Sequence, residues 1–189
     1  MKSHLLIALI LAGLVSGCAN PLNRATSDRY METCSKAESR GDLAVAEEAC
    51  YRAAVNVDWG NLGPELRSER LYNLGRVKRK VGKFNEAEQV LKESLAVEKE
   101  LSGPSSTKTG RRLAELSATY YQSNKITEGV AVVEKLKPIA NQYTGNERKF
   151  MAALFFEYGK KMAEKGDLEL SKSFESEGSK LGYSASDFE

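Results

Sequence analysis

Histidine occurs once in the 189 residues, at His4, inside an apolar leader. The rest of the chain therefore has no imidazole for a Ser-His pairing, a His-ligated metal or proton transfer near neutral pH. Cysteine is almost as scarce: Cys18, Cys34 and Cys50, with no C-x-x-C spacing. Two thiols without His do not close a zinc shell, and a redox pair would sit closer together. An excess of charge of one sign is also missing, with 28 basic against 26 acidic side chains. That balance lends no support to nucleic-acid or polybasic membrane binding. The longest apolar run, Leu5 to Val15, is too short to span a bilayer. Strand signals are absent, which points to an all-α chain. No S-x-x-K nucleophile motif stands in a plausible setting. GPSSTKTG, Gly103 to Gly110, lacks the Gly-Lys-Ser/Thr ending of a phosphate loop and follows a helical stretch, so it reads as a loop and helix cap. No catalytic residue, metal or cofactor is expected.

What is present begins with the leader. Lys2, the apolar run and the small residues Ser16-Gly17 have the layout of a secretory signal peptide. VSGC, Val15 to Cys18, resembles a bacterial lipobox. That resemblance implies cleavage before Cys18, a diacylglycerol on its sulfur and an acylated amine. Several acyl chains anchor firmly, since each buried methylene contributes about 0.8 kcal/mol. The alternative is an ordinary secretory signal with an incidental Cys. Residues 1–17 are assigned to the signal and 18–26 to the lipidated Cys and a short linker. Fully extended, that linker reaches at most roughly 30 Å. Ala19, rather than Asp, after the Cys resembles outer-membrane sorting in Gram-negative families, with the domain facing the periplasm. Loss of the leader removes Lys2 and His4 and leaves about 172 residues, enough for one domain or one repeat array.

A period of about 42 residues runs through the remainder. Four turn signals recur at Gly41, Gly82, Asn124 and Gly166. Two residues after each comes an apolar side chain: Leu43, Phe84, Ile126, Leu168. Three further on comes a small one: Ala46, Ala87, Gly129, Ser171. Seven before each turn sits another small residue: Cys34, Gly75, Ser117, Gly159. Large side chains precede these by four: Tyr30, Leu71, Leu113, Phe155. Between the turns, apolar residues repeat at three and four, so each unit is a pair of antiparallel helices. The small columns let two helices approach closely, and the large residues fill the grooves beside them. Pro64 suits a helix start, and Gly103-Pro104 a stop. Pro138 is expected to kink or end the second helix of the third unit.

YNLGRVKRKVGKFNEAEQVLKESL, Tyr72 to Leu95, resembles a tetratricopeptide repeat (TPR). Leu74-Gly75, Gly82, Phe84, Ala87 and Leu91 fall on that family's signature. The long unit resembles the variant of kinesin light chains. The resemblance covers roughly 27–183 and implies an α-solenoid of about four hairpins: units of about 27–63, 64–105, 106–144 and 145–183, followed by a tail, 184–189. The fourth unit departs from the pattern, with Glu175 where Leu91 and Val133 stand, as suits a polar end cap. In a hairpin turning at Gly41-Asp42, Cys34 and Cys50 stand at the same height. In an oxidising compartment they are expected to form a disulfide; two free buried thiols are the alternative. Arg40-Gly41-Asp42 is read as the turn itself, not an adhesion motif. Trp59, in the connector VDWGNLG, is expected to pack over the first hairpin.

The resemblance further implies a peptide groove on the inner face of the first helices. Carried over by position, its lining is Tyr72, Arg76, Arg79 and Lys80 from the second unit. The third contributes Arg111, Tyr121 and Gln122, the fourth Phe156 and Lys160, and the first Met31, Ser35 and Glu38. The middle of that face is expected to be basic with aromatic flanks, suited to an acidic or amphipathic protein segment. The alternative is a merely solvated face. The expected function is a non-catalytic, membrane-anchored adaptor for an envelope complex such as pilus or secretion machinery. A self-assembling structural lipoprotein and an accessory subunit of a cell-wall enzyme are the competing readings.

Overall fold

The computed structural model describes residues 19–188; the expected signal peptide and the expected lipidation site, Cys18, lie outside the described residues. Within them are eight α-helices and no strand. These are α1 (Pro21–Ser39), α2 (Leu43–Trp59), α3 (Pro64–Val81), α4 (Phe84–Ser102), α5 (Thr107–Gln122), α6 (Ile126–Val133), α7 (Gly145–Glu164) and α8 (Leu168–Lys180). Consecutive helices pair as hairpins, and each hairpin stacks on the next through α2–α3, α4–α5 and α6–α7. The fold is the all-α solenoid that the period implies.

Each hairpin turns on one of the four periodic turn residues, all with positive φ: 78° at Gly41, 89° at Gly82, 58° at Asn124 and 82° at Gly166. The left-handed residue swings the chain so that later amides reach back to the last turn. After Gly82, the Lys83 amide donates to the Lys78 carbonyl at 2.9 Å; after Asn124, the Lys125 amide donates to Tyr120 at 2.9 Å. This closure satisfies carbonyls the helix end leaves open. The first half of GPSSTKTG is the connector and Thr107 to Gly110 open α5, where the Ser106 hydroxyl caps the helix by accepting from the Thr109 amide at 3.1 Å.

Inside each hairpin the helices touch at the small column. A β-carbon added to Gly75 would lie 2.6 Å from Leu91 Cγ, and one added to Gly159 would lie 3.2 Å from Glu175 Cγ. Cys34 and Cys50 hold the equivalent place in the first hairpin. They are joined there by a disulfide, with Cα atoms 5.2 Å apart and a sequence separation of 16. Both are fully buried. Small residues also bring neighbouring hairpins together. A β-carbon on Gly129 would meet Tyr158 Oη at 1.8 Å, and that hydroxyl donates to the Ser117 carbonyl at 2.8 Å.

The third hairpin is irregular where Pro138 stands. Its second helix ends at Val133 and continues as 3-10 turns, Glu134–Leu136 and Ala140–Gln142. Proline has no amide to donate to Glu134, so the regular ladder cannot run through it. The returning strand of chain is secured by Tyr143, whose hydroxyl donates to the Thr107 carbonyl at 2.6 Å.

Two expectations need correction. The first helix begins at Pro21, not after residue 26. Asn20 caps it by accepting from the Leu22 amide at 3.0 Å, and proline suits the first helical position. Only Ala19 and Asn20 then separate Cys18 from helix. At the other end of the chain, a 3-10 turn at Ala185–Phe188 brings Phe188 within 5.7 Å, centroid to centroid, of both Phe156 and Tyr183. Trp59 does not pack over the first hairpin; it is the last residue of α2 and 76 % exposed.

Candidate partner-binding groove

The first helices α1, α3, α5 and α7 present a shared face, and ion pairs step across it from helix to helix. Arg76 on α3 grips Glu38 on α1 with both terminal nitrogens, at 2.6 and 2.7 Å. Lys80 reaches the same carboxylate at 2.7 Å. Arg79 pairs with Glu115 on α5 at 2.9 Å and donates to the Gln122 side-chain oxygen at 3.3 Å. Arg111 on α5 meets Glu147 on α7 at 2.5 Å. The free basic middle expected from the sequence is therefore not what the fold displays. The Glu38 and Glu115 side chains are only 9 % and 7 % exposed. Carboxylates this buried require a counterion, and the neighbouring helix supplies it.

The remaining groove positions divide. Tyr72 lies beneath the Arg112 guanidinium, 5.1 Å from its ring centre. Burial, then the Glu115 carboxylate, pushes the Tyr72 phenol up to about 12. Tyr121 is half-buried and stands edge-on to Tyr158 with centroids 5.6 Å apart. Lys160 is exposed and forms no ion pair among the described residues. Met31 packs on the first-hairpin core, and Ser35 is exposed. Phe156 does not line the groove. It is buried against α8, where a β-carbon on Gly178 would come within 2.6 Å of its ring. The missing side chain at Gly178 leaves the slot that the ring fills.

Two buried arginines belong to the same architecture and escaped sequence reasoning. Arg70 Nε donates to Ser27 Oγ at 3.2 Å, and its guanidinium reaches Asp28 at 2.5 Å. One repeat later, Arg112 Nε donates to Ser68 Oγ at 3.1 Å, and Glu98 takes its terminal nitrogen at 2.9 Å. Ser27 and Ser68 are 41 residues apart, Arg70 and Arg112 42 apart. That recurrence was the available signal. Glu157 on α7 contrasts with these. It is half-buried, forms no ion pair among the described residues, and burial raises its carboxyl against a weaker opposing pull from Arg79.

A cleft of about 590 Å³ opens between α1, α3 and α5, with Arg24, Glu69, Tyr72, Asn73, Lys108 and Arg111 on its walls. No described helix is long and apolar enough to cross a membrane. No group of three or more His, Cys, Asp or Glu among the described residues is placed to hold a metal ion.

Similarity to solved structures defines the class: a helical-repeat fold of the TPR-like type. The crystal structure of BtubC (BKLC) from P. vanneervenii superposes with a TM-score of 0.71 at 16 % identity, covering 82 % of this chain and 62 % of that one. A putative kinesin light chain from Podosopora anserina, built of nearly identical TPR-like repeats, gives 0.64 at 16 % identity, covering 82 % of this chain and 74 % of that one. The chain thus spans rather less than two thirds of BtubC. No protein-family model matches it, and no curated protein does.

Proposed function

We propose that the chain is a non-catalytic adaptor, anchored in the cell envelope through Cys18, that holds a segment of a protein partner on the face of its first helices. The observation that carries this reading is the cleft of about 590 Å³, whose walls come from successive repeats. A surface shared between repeats suits an extended or helical segment running across them. The partner brings carboxylates to the solvent-reaching cations Lys108, Arg111 and Lys160. The Arg111–Glu147 pair has its two side chains 42 % and 45 % exposed. Such a pair contributes only about 0–1 kcal/mol, so an incoming carboxylate displaces Glu147 at small cost. Arg76 and Arg79 serve instead as scaffold, since reversing either would set one acid against another at a buried site. The lipobox reading places the array at the periplasmic face of an outer membrane, and an envelope complex such as pilus or secretion machinery is the partner class.

The test is site-specific photo-crosslinking in intact cells from position 73 or 108 on the cleft and from position 135 on an exposed turn of the third hairpin. A partner captured from the cleft positions only, and lost when Lys108, Arg111 and Lys160 are changed together to Glu, supports the reading. Equal capture from position 135, or capture indifferent to the triple change in a protein of unaltered stability, refutes it.

A further inference from the structure

Four of the six large apolar side chains exposed among the described residues lie in the first hairpin, Leu101 and Leu168 being the others. Leu22 and Trp59 are each 76 % exposed, Tyr51 is 52 % and Val45 47 %. They belong to α1 and α2, the hairpin that no earlier unit covers. On α2, Val45, Arg52, Val55 and Trp59 recur at helical spacing and so share a face. Shallow grooves of about 420 and 300 Å³ run along it beside Tyr30. The charged side chains lining the two grooves are Glu48 and Arg52, and they pair with each other at 2.6 Å. The patch is thus aromatic and aliphatic with little net charge.

The point at which the chain reaches this end says what covers it. The Asn20 amide donates to the Gly60 carbonyl at 2.9 Å. The β-carbon of Asn23 sits 2.5 Å from where one on Gly60 would stand. The start of α1 is therefore clamped to the end of α2, directly beside Trp59. Cys18 precedes Asn20 by two residues, a span of at most roughly 7 Å. The polar layer of a bilayer is itself only about 5–7 Å deep on each side. Acyl chains on Cys18 hold this edge in that layer, the depth at which amphipathic aromatic rings are favoured.

We propose that Leu22, Trp59 and the adjoining Tyr51–Val55 edge form a lipid-facing surface that docks on the headgroup layer of the membrane carrying the Cys18 anchor. The proposal rests on the lipidation reading and deepens it. The array does not swing on a tether; it is seated by its first hairpin, which sets the direction in which the cleft faces.

Trp59 is the chain's single tryptophan, so its fluorescence reports on this edge alone. The experiment takes the protein purified from membranes with its native N-terminus. It is reconstituted into phosphatidylethanolamine–phosphatidylglycerol vesicles, with and without bromine on the acyl chains. Emission shifted to the blue, and largely lost to brominated lipid, is the expected result. Tyr51→Ser with Leu22→Ser should weaken that quenching without altering the melting temperature. Acylated protein whose Trp59 still emits as in water, unquenched, overturns the docking and leaves the anchor standing. An N-terminal peptide whose mass shows no acyl chain overturns both. A blue shift that grows with protein concentration and ignores brominated lipid assigns the face to a second copy and also overturns the proposal.

Discussion

Gly75→Ala offers a test with a change of sign. Gly75 lies inside α3 with ordinary helical geometry, so the substitution taken alone favours the helix by about 0.5–1 kcal/mol. The new methyl, however, would lie 2.6 and 2.8 Å from Leu91 Cγ and Cδ2. Leu91 is fully buried and has little room to retreat. Overpacking of this kind costs about 1–3 kcal/mol. The net expectation is a loss of roughly 1–2 kcal/mol, propensity gain included. Leu91→Ala alone should cost about 2–5 kcal/mol through the lost side chain and the cavity left behind. In that background the obstacle is gone and the nearest remaining neighbour, the Ala87 carbonyl, is at 3.5 Å. Gly75→Ala should then stabilise by up to about 1 kcal/mol. The coupling between the two sites is therefore roughly 2–3 kcal/mol, at the upper end of what contacting residues show. Urea unfolding of the four proteins, followed by far-ultraviolet circular dichroism, measures it. A Gly75→Ala protein more stable than the parent, or an equal loss in both backgrounds, would refute the claim that the small column sets the helix–helix approach.

Reduction of the Cys34–Cys50 bond should lower stability by about 3 kcal/mol, given a loop of 16 residues. Intact mass before and after reductant, with urea midpoints in each state, checks both the bond and its contribution. Arg112→Met should cost about 3–5 kcal/mol because it leaves the Glu98 carboxylate, 4 % exposed, without its cation. Arg112→Met with Glu98→Met should recover most of that loss in the same unfolding assay. Burial acts to raise the Glu88 carboxyl, but hydrogen bonds from Lys125, Lys92 and Tyr120 prevail and lower it from its ordinary value of 4.5 to about 2. A depressed folded-state value contributes stability that is present above pH 4.5 and lost as the pH falls toward 2. Glu88→Gln should flatten the stability profile across that window, as followed by thermal melts at stepped pH.

The repeat period, the hairpin turns and the close contacts could be read from the chain alone because each is a local demand made again in every unit. A turn that reverses a helix needs a left-handed residue, and Gly41, Gly82, Asn124 and Gly166 all take positive φ. A helix pair that touches needs a small residue, and Gly75 and Gly159 stand against Leu91 and Glu175. The break at Pro138 was legible for the same reason, since a missing amide is a property of the residue itself. The state of the groove was not. Whether Arg76 and Arg79 face a partner or reach Glu38 and Glu115 depends on how one first helix is rotated and shifted against the next. No periodicity within a unit encodes that. Phe156 occupies a groove position by spacing, yet the slot at Gly178 on the following helix draws it inward. Trp59 would be expected inside by its composition, but it ends α2 in the first hairpin, which no earlier unit covers. Local stereochemistry is written in the residue; electrostatic pairing and exposure are settled between helices, and only the stacked structure supplies the second helix.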